Sequence, residues 1–228
     1  MIDLRQGDCL EVMKDMPDNS IDLIITSPPY NIGKMHSNQL QFGTYNGNDM
    51  KEEEYQEWQI KVLNECFRIL KDDGSMFYNH KVRIKNGKAI HPLEWIKKSN
   101  FILKQEITWD MGKSANCDKI RFFPFSERIY WLVKNPKTKL YNKVGLSDVW
   151  EFKNMKRHKV HKATFPIHIP KSIISCFDDA KLILDPYAGI GTTAKAVIEL
   201  NKEDGKQRDF VGFEIDKLHI DTFHEDLA

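Results

Sequence analysis

Two consecutive prolines follow an apolar run near the start of the chain, in the sequence DLIITSPPYN at residues 22–31. Proline has a fixed φ and no N–H, so the pair ends the strand and leaves nearby carbonyl groups free to accept hydrogen bonds from a ligand. Ser27, Pro28, Pro29 and Tyr30, here called the claw, suit a planar ring that bears an amino group. The amine would donate to Ser27 and the Pro28 carbonyl, and the ring would stack on Tyr30. A Pro-Pro loop that only caps a strand is the alternative.

A second motif places a turn of small residues between an apolar run and a candidate helix, in the sequence KLILDPYAGIGTTA at residues 181–194. Gly189 and Gly191 would let a ligand approach the backbone, and N–H groups of the helix would face it. The turn fits G-x-G-x-x-A, a weak form of the dinucleotide fingerprint. Glu214 ends the next predicted strand, where an acid about 20 residues on is typical of ribose recognition. These features favour a nucleoside-containing ligand over a plain tight turn.

The two motifs resemble those of amino-methyltransferases that act on DNA. DPYAGIGTT resembles their S-adenosylmethionine-binding motif, and TSPPY resembles their catalytic motif. The catalytic motif comes first here, which is the permuted order of the β group of this family. Four further segments are similar to family segments: GDCL at 7–10, RILKDDGS at 68–75, FSERIYWLVK at 125–134 and HKATFP at 161–166. The segment between the late strand and residue 161 is short for the family.

The resemblance implies residue roles. The catalytic residues would be the claw, Ser27, Pro28, Pro29 and Tyr30. S-adenosyl-L-methionine would be the cofactor, bound by residues of three segments: Asp8 and Cys9; His161, Phe165 and Pro166; and Asp185, Tyr187, Ala188, Gly189, Gly191, Thr192, Thr193, Glu214 and Ile215. The target base would leave the stack of bases in the DNA duplex before an in-line transfer of the methyl group. No Pro-Cys dipeptide is present for attack on a cytosine ring carbon, and the histidine spacing does not favour a metal.

Basic residues are concentrated in two stretches, 81–104 and 134–162, although the net charge is only +1. Such local concentration is expected of a face that binds a polyanion. We assign Lys153, Lys156, Arg157 and Lys159 to DNA phosphates, and Trp150, Phe152 and His158 to the neighbourhood of the bases. A solvated, lysine-rich connection is the alternative. The loop 33–49 is a candidate to close over the flipped base, and an ordinary mobile loop is its alternative.

Short apolar strands that alternate with amphipathic helices predict the scaffold. The predicted strands are Asp3–Gln6, Ile21–Ile25, Ser75–Tyr78, Ile102–Trp109, Arg128–Val133, Leu182–Asp185 and Phe210–Ile215. The predicted helices are Glu53–Leu70, Pro92–Ser99, Pro170–Phe177 and Thr192–Asn201. This order indicates an α/β fold with a mainly parallel sheet. The resemblance implies a Rossmann-like methyltransferase sheet with one antiparallel strand and circularly permuted motifs. The stretch Tyr141–His161 has no clear period and is predicted to be irregular.

The composition fits one soluble domain over residues 1–228, and the resemblance implies that 134–160 is a short target-recognition insertion. Hydrophobic residues make up 41% and charged residues 29%, which is ordinary for a globular protein. No apolar run approaches the roughly 18 residues of a membrane span, and the amino terminus lacks the apolar core of a signal peptide. Four scattered cysteines suggest neither a zinc site nor a disulfide framework. We therefore expect a cytoplasmic protein without membrane or metal partners.

The expected function is site-specific methylation of an exocyclic amine in double-stranded DNA. Serine in the claw and the HKATFP segment resemble the cytosine-N4 members more, although adenine-N6 members with SPPY also exist. A homodimer and a cognate restriction endonuclease are the expected protein partners. The rival readings are an RNA or protein-amide N-methyltransferase, an NAD-dependent oxidoreductase and a catalytically inactive DNA-binding relative. Cofactor binding, to S-adenosylmethionine, NAD or neither, would discriminate among these classes.

Overall fold

The computed structural model describes residues 1–32, 49–112, 120–152 and 165–227. Its strands are β1 (Ile2–Gln6), β2 (Ile21–Thr26), β3 (Leu70–His80), β4 (Arg83–Lys85), β5 (Lys88–Ile90), β6 (Ile102–Asp110), β7 (Ser126–Val133), β8 (Val149–Trp150), β9 (Leu182–Asp185) and β10 (Asp209–Glu214). Its helices are α1 (Cys9–Met13), α2 (Glu52–Ile69), α3 (Leu93–Ile96), α4 (His168–Ile174), α5 (Thr192–Asp204) and α6 (Lys217–Leu227). None of the described helices is long and apolar enough to span a membrane.

Eight of the strands form one sheet in the order β1-β10-β9-β2-β3-β7-β6-β8, and β4 and β5 form a separate hairpin. Neighbouring strands of the large sheet are parallel, except that β7 is antiparallel to both β3 and β6. The described part of this sheet therefore contains one antiparallel strand, and the predicted fold class is confirmed. We call the edge where β1, β2, β3, β9 and β10 end the carboxyl edge, and the opposite one the amino edge.

Helices cover both faces of the sheet, which explains why its central strands are almost wholly apolar. One core layer packs α4, α5 and α6 against the sheet. The other layer packs α1, α2 and α3, and α2 buries Tyr55, Val62, Leu63, Cys66 and Ile69 at helical spacing. Burial on both faces leaves the strand ends as the accessible part of the sheet. Polar residues that follow a strand are therefore the ones that can meet a ligand.

Several elements differ from the sequence predictions. The short helix α1, the terminal helix α6 and the β4–β5 hairpin were not predicted, since α1 has five residues and the hairpin strands have three each. The stretch 141–161 was expected to be irregular, but Val149 and Trp150 pair with Thr108 and Trp109 as β8. Helix α3 is shorter than Pro92–Ser99, and α4 begins two residues before Pro170. The strands and helices that carry both motifs were predicted within a few residues.

Candidate active site

The claw lies where β2 ends, at the carboxyl edge, and its polar groups form a connected network. The Ser27 Oγ lies 2.8 Å from the Tyr30 hydroxyl. That hydroxyl donates to Glu127 Oε2 at 2.9 Å. Asn79 Nδ2 donates to the Tyr30 hydroxyl at 2.8 Å and to Glu127 Oε2 at 3.0 Å. Asn79 is near the end of β3, and Glu127 is near the start of the antiparallel β7, so the network joins three strands.

Sequence reasoning missed Asn79 and Glu127. Asn79 follows the apolar run that was predicted as a strand, so a polar residue at a strand end was its available signal. Glu127 lies in the FSERIYWLVK segment, just ahead of the apolar part of β7. An antiparallel strand begins at the edge where its parallel neighbours end. A charged residue at the start of β7 was therefore as informative as one at the end of β2.

Tyr30 presents an aromatic ring beside a buried histidine ring and one lysine. Its ring centroid lies 4.5 Å from that of His80, and Lys81 Nζ lies 5.5 Å from the Tyr30 centroid. Burial raises the pKa of the Tyr30 hydroxyl well above its ordinary value, and the nearby Glu127 charge adds to this shift. Tyr30 therefore remains a neutral phenol, whose hydroxyl can donate a hydrogen bond to Glu127. Stacking of a base on Tyr30 stays a prediction.

The two proline carbonyls of the claw differ in their surroundings. The Pro29 carbonyl accepts a hydrogen bond from the Tyr55 hydroxyl at 2.7 Å. Tyr55 also lies 2.8 Å from Nε2 of His80, a fully buried side chain whose pKa burial lowers well below its ordinary value. None of the described residues donates a hydrogen bond to the Pro28 carbonyl. The Pro28 carbonyl, which we assign to the target amine, is therefore free to accept a hydrogen bond.

Asp185, at the end of β9, links the second motif to the first. Its carboxylate accepts hydrogen bonds from Thr26 Oγ1 at 2.7 Å, Thr193 Oγ1 at 2.8 Å and the Tyr187 backbone N–H at 3.1 Å. Thr26 immediately precedes the claw, so this bond fixes the turn after β9 relative to the turn after β2. Asp185 is only 1% exposed, and burial raises its pKa to about 6. The side chains of Asp185 and Thr193 therefore hold the turn together from inside.

The glycine turn between β9 and α5 packs tightly against its neighbours. The Ala188 N–H donates to the Phe213 carbonyl at 2.9 Å. Gly189 and Gly191 have φ values of 54° and 74°, in the left-handed region that favours glycine. A Cβ at Gly191 would overlap the ring of Phe223 on α6. Gly191 is thus required by packing as well as by its backbone conformation, and Thr192 starts α5 directly after it.

Glu214 ends β10 beside this turn. Its Oε2 accepts the Gly189 N–H at 2.9 Å and its Oε1 accepts the Asp216 N–H at 2.8 Å. Glu214 is 8% exposed, and burial raises the pKa of its carboxyl to about 7. A carboxylate has about four acceptor sites, so capacity remains for the hydroxyls of a ribose. Ile215 next to it is 44% exposed and offers apolar surface for a heterocycle. This combination of a carboxylate acceptor and an apolar surface fits a nucleoside.

The GDCL segment adjoins Glu214 at the end of β1. The Gly7 N–H donates to the Glu214 carbonyl at 3.0 Å, and the Asp8 carboxylate caps α1 through the Leu10 N–H at 2.8 Å. Cys9 is 4% exposed, and burial raises the pKa of its thiol to about 12. Cys9 is therefore part of the core, and contact of this segment with a ligand would come from Asp8 or the backbone. Within the described residues, no group of three or more potential ligands is placed to hold a metal ion.

Several predicted site residues lie outside the described residues: Lys153, Lys156, Arg157, His158, Lys159, His161 and most of the loop 33–49. The described residues that flank 153–164 lie near the carboxyl edge. Trp109, near the end of β6, donates from Nε1 to the Phe152 carbonyl at 2.8 Å, and the Phe152 ring lies 6.0 Å from that of His168. Phe165 is half-buried and Pro166 is buried.

Burial contradicts the predicted base contact of Trp150, whereas the predicted DNA contact of the stretch from 134 stays a prediction. Trp150 was expected near the bases, but it is 6% exposed in the core, and its Nε1 donates to the Ser147 carbonyl. The basic stretch from 134 was expected to face DNA, but Lys134 follows the end of β7 and Lys143 pairs with Asp178, before β9. Antiparallel β7 ends at the amino edge, so residues 134–143 lie away from the claw.

The other basic stretch, 81–104, is also partly engaged within the protein. Arg83 is 5% exposed and forms a bidentate pair with Glu52, at 2.7 and 2.9 Å. This pair fastens the β4–β5 hairpin to the start of α2, so the Arg83 charge is compensated. Lys81, over the Tyr30 ring, is the member of this stretch that lies at the claw.

Comparison with known proteins gives consistent matches along the whole chain. A family model described as DNA methylase matches residues 21–225. The type II methyltransferase M.BglII of Bacillus subtilis is 28% identical over 263 residues, covering 99% of this chain and 68% of that protein. The DNA adenine methyltransferase YhdJ of Escherichia coli (strain K12) is 27% identical, covering 94% of this chain and 78% of that protein.

Solved structures share the fold. The PvuII DNA methyltransferase, described as cytosine-N4-specific, superposes with a TM-score of 0.81 at 19% identity, covering all of this chain and 86% of that one. The M1.HpyAVI–SAM complex superposes with a TM-score of 0.68 at 22% identity, covering 99% of this chain and all of that one. At these identities the likeness concerns the arrangement of strands and helices.

Proposed function

The chain belongs to the DNA methylase family of N6 and N4 amino-methyltransferases, and from this premise we propose that its claw methylates the exocyclic amine of a flipped base, with S-adenosyl-L-methionine as methyl donor. One observation carries the proposal. The Thr26–Asp185 hydrogen bond, at 2.7 Å, ties the turn that suits a nucleoside to the turn that suits an amine. A methyl donor and its acceptor must meet within a few ångströms, and two adjacent strand ends provide that proximity.

The cofactor is assigned to the turn after β9 and to the neighbouring strand ends. Glu214 would accept the ribose hydroxyls, and Asp8 and Ile215 would adjoin the adenine. The backbone from 185 to 193 would line the middle of the cofactor, and His161, Phe165 and Pro166 would cover its methionine end. When bound, S-adenosylmethionine supplies a methyl group activated by a sulfonium. The raised pKa of Glu214 reflects a buried acceptor, for which ribose hydroxyls are suitable donors.

The claw positions the target amine and accepts hydrogen bonds from it. The lone pair of an aromatic amine is delocalised into the ring, so the amine is a weak nucleophile. Hydrogen bonds from the amine to Ser27 Oγ and the Pro28 carbonyl favour the pyramidal form, whose lone pair can attack in line. No covalent enzyme intermediate is needed. This reading also sets aside an oxidoreductase, in which the claw has no role.

The proposed target is cytosine N4, with adenine N6 as the alternative. Serine in the claw and the HKATFP segment support cytosine by resemblance. The adenine alternative is favoured by the relative YhdJ, whose name states that base. Both amines are donors of the same geometry, so the claw itself accepts either. The identity of the base depends on the remainder of the pocket.

The proposed partner is double-stranded DNA, held on its phosphates by Lys153, Lys156, Arg157 and Lys159. A homodimer and a cognate restriction endonuclease are proposed with it, because one small chain offers little surface for a duplex and relatives are named as type II methyltransferases. The proposed location is the cytoplasm, where genomic DNA is accessible in bacteria.

One experiment tests the function directly. The purified protein is incubated with unmodified genomic DNA and S-adenosylmethionine labelled on the methyl group, and the digested nucleosides are analysed by mass spectrometry. We expect labelled N4-methylcytosine, and Ser27→Ala provides the matched inactive control. Labelled N6-methyladenine would move the proposal to the alternative base. The proposal would be overturned if the protein binds the cofactor but the DNA yields no labelled nucleoside. Sequencing of the methylated DNA identifies the recognition sequence.

A further inference from the structure

Ser27, Tyr30, Asn79 and Glu127 form a network in which the direction of each hydrogen bond can be counted. The Tyr30 hydroxyl is at the centre, within 2.8 or 2.9 Å of Ser27 Oγ, Asn79 Nδ2 and Glu127 Oε2. An ionised carboxylate only accepts, an amide NH₂ only donates, and a hydroxyl has one hydrogen and two lone pairs. These fixed roles leave few ways to place the hydrogens.

Glu127 determines the direction of the hydrogen bonds between itself, Tyr30 and Ser27. Because Glu127 Oε2 can only accept, the single hydrogen of Tyr30 points to it. The two lone pairs of Tyr30 then face Asn79 Nδ2 and Ser27 Oγ. Ser27 must therefore donate its hydrogen to Tyr30. What Ser27 can offer to a ligand is lone pairs alone.

Asn79 supports this arrangement. Its Nδ2 donates to Tyr30 at 2.8 Å, to Glu127 at 3.0 Å and, more weakly, to Ser27 Oγ at 3.4 Å, whereas its Oδ1 is buried without a partner among the described residues. An unsatisfied buried oxygen is destabilising. A flipped amide would place that oxygen against the Glu127 carboxylate, which is less favourable still. The carboxylate therefore orients Asn79 as well as Tyr30.

We propose that Glu127 is a specificity-determining positioning residue: through Tyr30 it makes Ser27 an obligate hydrogen-bond acceptor, so the claw selects a base that presents an amine and rejects one that presents a carbonyl at the same place. This inference rests on the proposed function of the claw. It extends that function, because it explains how a hydroxyl, which could serve either group, discriminates cytosine from uracil or adenine from hypoxanthine. The raised pKa of Tyr30 is consistent, since an ionised Tyr30 could not donate to Glu127.

The test compares two uncharged replacements of Glu127. Glu127→Met removes the acceptor, so the Tyr30 hydrogen turns to Ser27, and Ser27 can donate to the base. Glu127→Gln removes the same charge but keeps an oxygen that accepts from Tyr30. Glu106→Met is the matched control, since Glu106 lies on the neighbouring strand and pairs with Arg128 instead. Thermal unfolding verifies that each variant is folded.

The probes are two duplexes with the recognition sequence obtained above, one with the target amine and one with uracil or hypoxanthine at that place. The measured quantity is the ratio of the two dissociation constants. The intrinsic difference in opening the two base pairs is a property of the DNA, so it cancels between variants. We expect Glu127→Met to reduce the preference for the amine about tenfold, as expected for one reversed hydrogen bond. Glu127→Gln should retain most of the preference, and Glu106→Met all of it.

The outcomes are distinct. An unchanged ratio in folded Glu127→Met, or equal losses in Glu127→Met and Glu127→Gln, overturns the proposal, because the acceptor would then not matter. If Glu127→Met does not fold, Tyr30→Phe replaces it. That variant keeps Glu127 but deprives the Ser27 hydrogen of its acceptor, and it should lose the same preference. A wild-type protein that neither methylates nor binds the amine duplex refutes the proposed function instead.

Discussion

The two edges of the sheet are built in different ways. At the carboxyl edge, buried and half-buried polar groups on or just after β2, β3, β7, β9 and β10 bond to one another, as Thr26 does to Asp185 and Tyr30 to Glu127. At the amino edge, several lysines form contacts at the surface. Lys134 contacts Asn19, and Lys143 and Lys206 both contact Asp178.

This difference indicates where the molecule is specialised. Exposed ion pairs contribute about 0–1 kcal/mol each, and the loss of one leaves its neighbours intact. Groups in a buried network share partners, so removing one leaves others unsatisfied at about 1–3 kcal/mol each. The carboxyl edge should therefore be sensitive to single atoms, and the amino edge should tolerate charge changes.

The largest effect is expected at the claw. Ser27→Ala removes the hydroxyl assigned to the target amine, and methyl transfer should fall roughly 100- to 1,000-fold, as for loss of one positioned hydrogen bond in a transition state. Calorimetry should find S-adenosylmethionine affinity unchanged, since the cofactor is assigned to the turn after β9. A folded variant that loses cofactor binding to the same extent would contradict the separate assignment of the two turns.

The glycine turn provides a second contrast, between Gly191 and Gly205 at the two ends of α5. Their φ values are 74° and 70°, but a Cβ at Gly191 overlaps Phe223, whereas nothing lies within 4 Å of one at Gly205. Gly205→Ala should lower the free energy of unfolding by about 1 kcal/mol from backbone strain. Gly191→Ala adds overpacking, and should cost about 1–3 kcal/mol more. Urea unfolding measures both, and equal losses would show that α6 does not constrain the turn.

The third contrast concerns pH. Burial raises the pKa of Glu214 to about 7. Burial also raises the pKa of Asp185 to about 6 and lowers that of His219 to about 4, so Glu214 titrates nearest pH 7 of the three. If ribose hydroxyls bind the ionised Glu214, a proton must leave on binding, so affinity should weaken as pH falls below 7. From pH 8 to pH 6 we expect about a tenfold loss of S-adenosylmethionine affinity.

Glu214→Gln serves as the control for this pH effect. It should bind S-adenosylmethionine more weakly by roughly 1–3 kcal/mol at pH 8. It should also lose most of the pH dependence between 6 and 8, because Glu214 no longer titrates and only Asp185, with a pKa of about 6, remains near that range. A wild-type affinity that does not change across this range would remove Glu214 from the ribose site.

How much of the site was predictable depends on where its residues lie in the chain. The turn after β9 was predicted because Asp185, Gly189 and Gly191 are contiguous, and Glu214 follows at the end of the next strand. The fold class was predicted from the alternation of short apolar strands with amphipathic helices along the chain. Asn79 and Glu127 were missed because their distance from Tyr30 depends on the pairing of β3 with β7, which joins residues about 50 positions apart.

The lysines of the stretch 134–162 show what charge spacing leaves undetermined. The stretch 134–162 reads as one basic segment, but the direction of β7 places its first part at the amino edge. Charge spacing along a chain carries no information about which sheet edge it follows. Trp150 was misassigned for a related reason, because two residues of β8 are too few to produce a periodic pattern.

The smallest effect is therefore expected at the amino edge. Lys137 and Lys139 are exposed in the connection that follows β7. Lys137→Glu with Lys139→Glu should leave the slope of log affinity against log salt unchanged for duplex DNA. Replacing Lys153, Lys156, Arg157 and Lys159 by Glu should flatten that slope by about 0.9 per lost phosphate contact. If the amino-edge pair flattens the slope as much per residue, the duplex contacts both edges, and the contrast between them no longer describes DNA binding.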